Sequence, residues 1–301
     1  MNVRLAIAAL LLPLPGLAEF HVVVVEGLAG DPVYAQQFEQ QVSAISTASR
    51  TMADEDNVHV LRSDIATRDA VLDRLGSLTS GMQADDHFAL FLIGHGSYDD
   101  YEYKFNIPGP DLTGEDIAAA LEPLPANNQL IVNTSSSSGA IAELVTADDR
   151  IVILATRSGS ERHATRFGNY FATALSDSSA DIDKNGAISV AEAFNFAARQ
   201  VSDYFEHNNQ LATEHPQLHG DNAERLSLAQ LDVSRPVIVD TALASLVADR
   251  DEMNAEIASL RLARDEMPIT EYQSELLDKM LKLARIEDAI EARQGELGTD
   301  E

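Results

Sequence analysis

Residues 87–96 read HFALFLIGHG. Six consecutive apolar residues run without polar interruption into a Gly-His-Gly turn. The run is too short for a helix and does not alternate, so it reads as a strand buried on both faces. Four further runs share this character: HVVVVEGL (21–28), VHVLRS (58–63), QLIVNTS (129–135) and RIVILATRSG (150–159). Helix-period segments fall between and after them, at 31–52, at 66–78, from 114, in a short stretch into Val145, and from about 165. Strand and helix alternating five times predict an α/β fold with a doubly wound, mostly parallel sheet in three α/β/α layers.

In such sheets ligands bind beyond the carboxyl ends of the strands. Three runs end there in chemistry-bearing segments: GHGS (94–97), NTSSSSG (133–139) and TRSGSER (156–162). His95 sits between two glycines, so a general base and backbone N–H donors for an oxyanion can share one turn. The serine run admits three readings. It is a flexible connector, a set of caps for the segment that resumes at Gly139, or the place of a hydroxyl nucleophile. A serine nucleophile requires a base, and His95 is the one the layout places nearby. The long YDDYEYKFNIPGPDLTG stretch after His95 (98–114) is expected to border the same cleft.

GHGS after a third strand, a serine-rich turn ending in Gly after a fourth, and TRSGSER after a fifth resemble the caspase/legumain-like peptidase family. The likeness is to its exported bacterial legumain-like branch and covers residues 22–221. It implies a His-Cys dyad at the two strand ends, an oxyanion glycine after the histidine, and a fifth-strand loop lining the specificity pocket. Carried onto this chain, His95 takes the place of the histidine, Gly96 that of the oxyanion glycine, and Arg157 and Ser158 lie in the substrate loop. Ser136 falls at the cysteine position, with Ser135 as its one-residue rival. The resemblance therefore implies either a peptide-bond hydrolase using a Ser-His pair or an inactive relative that binds peptide or protein ligands. The hydrolase is the first expectation; oxygen in place of sulfur makes a much poorer nucleophile than a thiolate, which keeps the inactive relative as the alternative.

DIDKNGAISVAE (181–192) fits the twelve-residue calcium loop of an EF-hand. Asp181, Asp183 and Asn185 stand at positions one, three and five, and Gly186 supplies the turn. Ala187 offers a carbonyl at seven, Ser189 stands at nine, and Glu192 supplies the bidentate carboxylate at twelve. The alternative is an Asn-Gly turn between two helices. A single such loop in an exported chain implies a structural Ca2+ site with a Kd of about 0.1–1 mM. His207, His215 and His219 have spacings that match no standard metal site.

The net charge of −28, from 49 acidic and 21 basic side chains, argues against nucleic acid and anionic lipid as partners. There is no cysteine, so disulfides and thiol chemistry are unavailable. Residues 1–18 have the positive start, short apolar core and small-residue end of a signal peptide, which places the mature chain in the periplasm or outside the cell and leaves it without stable membrane insertion. An α/β domain is expected over 19–233. Residues 234–301 are expected to form a linker, SRPVIVD (234–240), and an antiparallel helical hairpin ending in a frayed tail from Gly295. Leu246, Met253, Leu260 and Met267 recur every seven residues, as do Ile269, Leu276, Leu283 and Ile290, on either side of Pro268. Such a hairpin either covers one side of the domain or joins a second copy of the chain.

Overall fold

A computed structural model describes residues 18–231, 240–262 and 268–298. The expected signal peptide up to residue 17, all but Asp240 of the expected linker, and Met267 lie outside the described residues. In chain order the elements are β1 (Phe20–Glu26), α1 (Pro32–Ser49), β2 (Val58–Leu61), α2 (Arg68–Leu78), β3 (His87–Ile93), β4 (Gly96–Tyr98), β5 (Tyr103–Phe105), β6 (Leu112–Thr113), α3 (Gly114–Leu121), β7 (Asn128–Asn133), α4 (Ala142–Val145), β8 (Arg150–Leu154), α5 (Phe167–Ala174), β9 (Ala187–Ser189), α6 (Val190–His207), β10 (Gln217–His219), β11 (Ser227–Gln230), α7 (Thr241–Leu262) and α8 (Ile269–Gly298). They fall into two compact units. One holds the chain up to Ser176 with Ser189–Ala229; the other holds Asp177–Ile188 with the chain from Gln230.

The first unit is built on a six-stranded sheet in the order β10-β8-β7-β3-β1-β2. The five expected strands are all present and parallel to one another. Their unbroken apolar runs follow from helices on both faces. Val23, Val25, Leu90, Leu92, Ile131 and Leu154 pack with Val71 and Leu75 of α2 and Ile117 and Leu121 of α3. The intervening residues, Val22, Val24, Phe91, Val132 and Ile153, are buried too. On that side Phe91 meets Phe171 of α5 at 6.4 Å between ring centroids, and α5 packs against α1 and α6. Burying each such side chain contributes about 1.5–3 kcal/mol, which makes this two-sided core the main source of stability.

Helix starts are set by local chemistry. Asp31 caps α1 ahead of Pro32, Thr67 caps α2, and Thr113 with Asp116 forms a capping box on α3. Asp116 also takes both arms of the Arg68 guanidinium, at 2.5 and 2.7 Å, tying α3 to α2. The sequence does not announce β10. It has three residues, directly follows Pro216, and runs antiparallel on the edge beside β8. Gly220 then turns the chain at φ +92°, with the Arg150 carbonyl oxygen 2.0 Å from where a Cβ would sit.

In the second unit, α7 and α8 pack together. Arg293 grips Asp240 at 2.6 and 3.1 Å, and Lys279 reaches Glu256 at 2.6 Å, so the helices run antiparallel. Leu243, Ile257, Leu260 and Ile290 are buried, while Ile269 is exposed. α8 continues to Gly298, beyond the expected fraying point. Among the described residues no helix is long and apolar enough to cross a membrane.

Just ahead of α5, the buried Glu214 accepts the backbone N–H of Arg166 at 2.8 and 2.9 Å and that of Phe167 at 3.2 Å. Burial outweighs these donors and pushes its carboxyl from 4.5 up to about 7. Between those values the folded chain keeps a proton that the unfolded chain has released. This contribution to stability therefore falls as pH rises through the window and levels off above it, by an amount on the order of 3 kcal/mol. The stability difference between wild type and Glu214→Gln, measured by urea unfolding, should fall between pH 4.5 and pH 7; a constant difference would show that the burial is not felt.

Candidate functional site

The three chemistry-bearing segments converge at the carboxyl edge of the sheet, and the glycines show how tightly. A Cβ on Gly96 would lie 2.5 Å from the Ser136 carbonyl oxygen and 2.6 Å from the Ser135 hydroxyl. One on Gly139 would lie 2.2 Å from the backbone nitrogen of Ser158, and one on Gly159 would lie 2.2 Å from the Tyr98 ring. Backbone packs on backbone between GHGS and the serine turn, and between that turn and TRSG. No residue larger than glycine fits these contacts without displacement.

Each serine of the turn has a different environment. Ser135 is fully buried, its hydroxyl 2.8 Å from the Asn133 side-chain oxygen and 2.6 Å from the Tyr103 hydroxyl. Asn133 donates in turn to the Tyr103 hydroxyl at 2.9 Å, and burial pushes that phenol up to about 12. Ser136 donates to the Gly96 carbonyl at 3.1 Å and is 4% exposed. Ser137 adopts a left-handed conformation at φ +57°, with its buried hydroxyl unpartnered. Ser138 meets the Thr156 hydroxyl at 3.2 Å and accepts the Thr156 N–H at 3.1 Å.

His95 is half-buried, with Tyr34 and Phe38 set edge-on at 4.6 and 5.1 Å between centroids. Its Nε2 lies 3.2 Å from the Ala29 carbonyl oxygen. A carbonyl only accepts, so Nε2 carries the proton in this contact and Nδ1 holds the lone pair. Burial holds the imidazole below its ordinary pKa, with the Ala29 carbonyl acting weakly the other way, so the ring is neutral at pH 7. Among the described residues no hydrogen bond joins His95 to Ser136 or Ser135. The expected pair is thus assembled in one neighbourhood, yet each member is engaged with a backbone carbonyl.

The rim is charged but internally matched. Arg157 reaches Glu161 at 3.1 Å, Arg162 reaches Asp100 at 2.8 Å, and Lys104 bridges Asp99 and Glu102 at 3.1 and 3.3 Å. The backbone N–H of Glu102 and the Lys104 ammonium hold Asp99 down at about 2. Ser158 pairs with Ser160 at 2.8 Å. The stretch expected as a bordering loop forms the antiparallel sheet β4-β5-β6. Sequence reasoning missed the Tyr103–Ser135–Asn133 cluster. It also missed Glu161, which anchors His215 through Nδ1 at 2.5 Å and the backbone N–H at 3.0 Å. An Asn closing a buried strand was a usable signal for the first; nothing local marks the second.

Residues 181–187 form a tight turn held by side-chain oxygens. Asp181 accepts the N–H of Asn185 at 3.1 Å and of Gly186 at 2.9 Å, Asn185 accepts that of Ala187 at 2.8 Å, and Gly186 has φ +83°. Ligand oxygens of Asp181, Asp183 and Glu192 lie within 4.8 Å of one another, so this group is able to hold a metal ion. Glu192 also closes a capping box with Ser189 on α6, a role the sequence reading overlooked. Ala187 and Ser189 belong to β9, their backbone extended.

No family model matches the chain, and no curated protein matches it. Among solved structures it is similar to protein GSU0716 from Geobacter sulfurreducens, at 13% identity and a TM-score of 0.48, over 71% of this chain and 100% of that one.

Removing the hydroxyl that bridges Ser135 and Asn133 leaves two buried polar groups short of a partner. Tyr103→Phe should lower unfolding free energy by about 1–3 kcal/mol in urea titrations. A Gly96→Ala chain should lose a similar amount by overpacking against the Ser136 carbonyl. Wild-type stability in both would mean the turn is not held by these contacts.

Proposed function

We propose that this chain is an exported, caspase/legumain-like protein that binds an extended peptide or protein segment at the strand-end cleft without hydrolysing it, and that calcium at 181–192 supports its fold. One observation carries the non-hydrolytic reading: Ser136 donates its hydroxyl to the Gly96 carbonyl while His95 directs Nε2–H to the Ala29 carbonyl. A serine becomes a nucleophile when a base accepts its proton, and here a backbone carbonyl, which is no base, occupies that position. Ser135 is no substitute, since its hydroxyl is buried between Tyr103 and Asn133. The convergence of the GHGS, serine-turn and TRSG segments supports retention of the cleft as a binding surface.

The second reading, a Ser-His hydrolase, is favoured by the closeness of Gly96 to the serine turn, which keeps both proposed reacting groups at one edge. In that mechanism Nδ1 or Nε2 of His95 takes the Ser136 proton, the alkoxide attacks a peptide carbonyl, and the Gly96 backbone N–H steadies the oxyanion. Acting through Nε2, His95 would first have to exchange its Ala29 contact; acting through Nδ1, it would not. The mature chain incubated with an internally quenched peptide library separates the two. The non-hydrolytic reading expects identical background signal from wild type, His95→Ala and Ser136→Ala. Turnover that disappears in Ser136→Ala would overturn it.

Calcium is the cation that fits the loop: a hard ion taking carboxylate, amide and carbonyl oxygens at alternate positions around a glycine turn. Occupying the site requires Glu192 to release its Ser189 contacts or share its second oxygen. Titrating roughly 10 mM CaCl2 into the chelator-treated chain should raise Tm by about 3–8 °C, as mass action on a site of millimolar or tighter affinity requires. Asp181→Ala should abolish the rise. An equal rise in that variant would assign the effect elsewhere.

A further inference from the structure

Helix α8 carries a second apolar stripe that α7 does not cover. Leu277, Met280 and Leu281 are 61%, 50% and 52% exposed, and Ala284 continues the row. Their spacing, i, i+3, i+4 and i+7, places them on one face of the helix. Leu283 and Ile286 are partly covered, Ile290 is buried, and Lys279 reaches α7, so these four mark the other face. A helix with apolar residues on both faces has one partner more than the hairpin supplies.

We infer that this stripe pairs two copies of the chain through an antiparallel, two-fold contact between their α8 helices, centred between Met280 and Leu281. The arrangement of residues about that point is the argument for a second copy as the occupant. In an antiparallel two-fold pair, each residue faces the one equally far on the other side of the centre. Met280 then faces the second copy's Leu281, and Leu277 faces its Ala284, a large residue against a small one on both sides. On the flank of the stripe, Asp278 faces the other copy's Leu283, two residues short of its Arg285, an offset of about 3 Å along the helix that the long arginine side chain spans. Two-fold symmetry makes two such ion pairs. Asp278 already pairs with Lys282 at 2.7 Å within its own helix, whereas Arg285 has no ion pair among the described residues. The chain as a whole repels itself at a net charge of −28, which makes basic residues beside an apolar stripe the place where copies can meet. A two-turn stripe buries well under the ~800 Å² per partner of a standard interface, so the dimer is reversible and concentration-dependent.

The natural absence of cysteine permits a direct test on the full mature chain. Sedimentation of wild type across the micromolar range should show a monomer–dimer equilibrium. Leu277→Glu with Leu281→Glu should leave only monomer, with an unchanged circular dichroism spectrum. Arg285→Asp should weaken dimerisation about tenfold by setting like charges across each flank. Combining it with Asp278→Arg should restore wild-type affinity, which a loss of folding cannot mimic. Under mild oxidation Met280→Cys should form a disulfide-linked dimer, while Glu39→Cys, exposed on α1, stays monomeric. A wild-type chain that is monomeric throughout, a dimer indifferent to the stripe substitutions, or a charge exchange that fails to rescue would each overturn the pairing.

Discussion

The strand-end site depends on backbone lying directly against backbone. Gly96 rests on the carbonyl of Ser136, and Gly139 rests on the chain between Thr156 and Ser158. These contacts are closer than any side chain tolerates. They hold the ends of β3, β7 and β8 in one place, so that the hydrogen bonds of the serine turn become possible. Ser137 can donate its N–H to the Glu161 carbonyl at 2.8 Å only because the fifth-strand loop is brought that close. Glu161 in turn fastens His215 and the edge strand that follows it. The site and the sheet's far edge are parts of one assembly.

The sheet was legible because its constraint is one-dimensional. A strand covered on both faces must be apolar at consecutive positions, and runs such as 88–93 and 130–132 state that directly. Helix starts were legible for a similar reason, since capping chemistry is local. The edge strand β10 was not, because three polar-flanked residues acquire strand geometry only by pairing with Leu154, Ile153 and Val152. Nor was the small sheet β4-β5-β6, whose pairs join residues that lie in a stretch rich in turn formers.

The candidate site was legible in its location and illegible in its bonding. Three strand ends with Gly, His and Ser identify where chemistry belongs, and the described residues do meet there. Which atom each polar group reaches is decided by partners 32–66 positions away in sequence: Tyr103 for Ser135, Gly96 for Ser136, Ala29 for His95. No spacing rule reaches that far. The acidic loop 181–192 is the opposite case, because all the ligand positions expected of it lie within twelve consecutive residues, and the turn that gathers them is encoded there. Even so, the S-x-x-E spacing of its last four residues encodes a helix cap as well, so that Glu192 answers to two local codes at once.

The serine run is the clearest instance of sequence simplicity concealing structural difference. Four identical residues in succession have four distinct roles: a member of a buried polar cluster, a donor to a neighbouring strand end, a left-handed hinge, and a partner for Thr156. The hinge is the least favourable of these. A non-glycine residue in the left-handed region costs about 1–2 kcal/mol, and a buried hydroxyl without a partner costs about 1–3 kcal/mol more. Glycine at position 137 would remove both terms, so the fold is not what requires serine there. Local strain of this kind persists where the surroundings over-determine a turn, and such turns cluster at binding and catalytic sites. The strain therefore sits in the same turn as Ser136, whose own hydroxyl is committed to the Gly96 carbonyl.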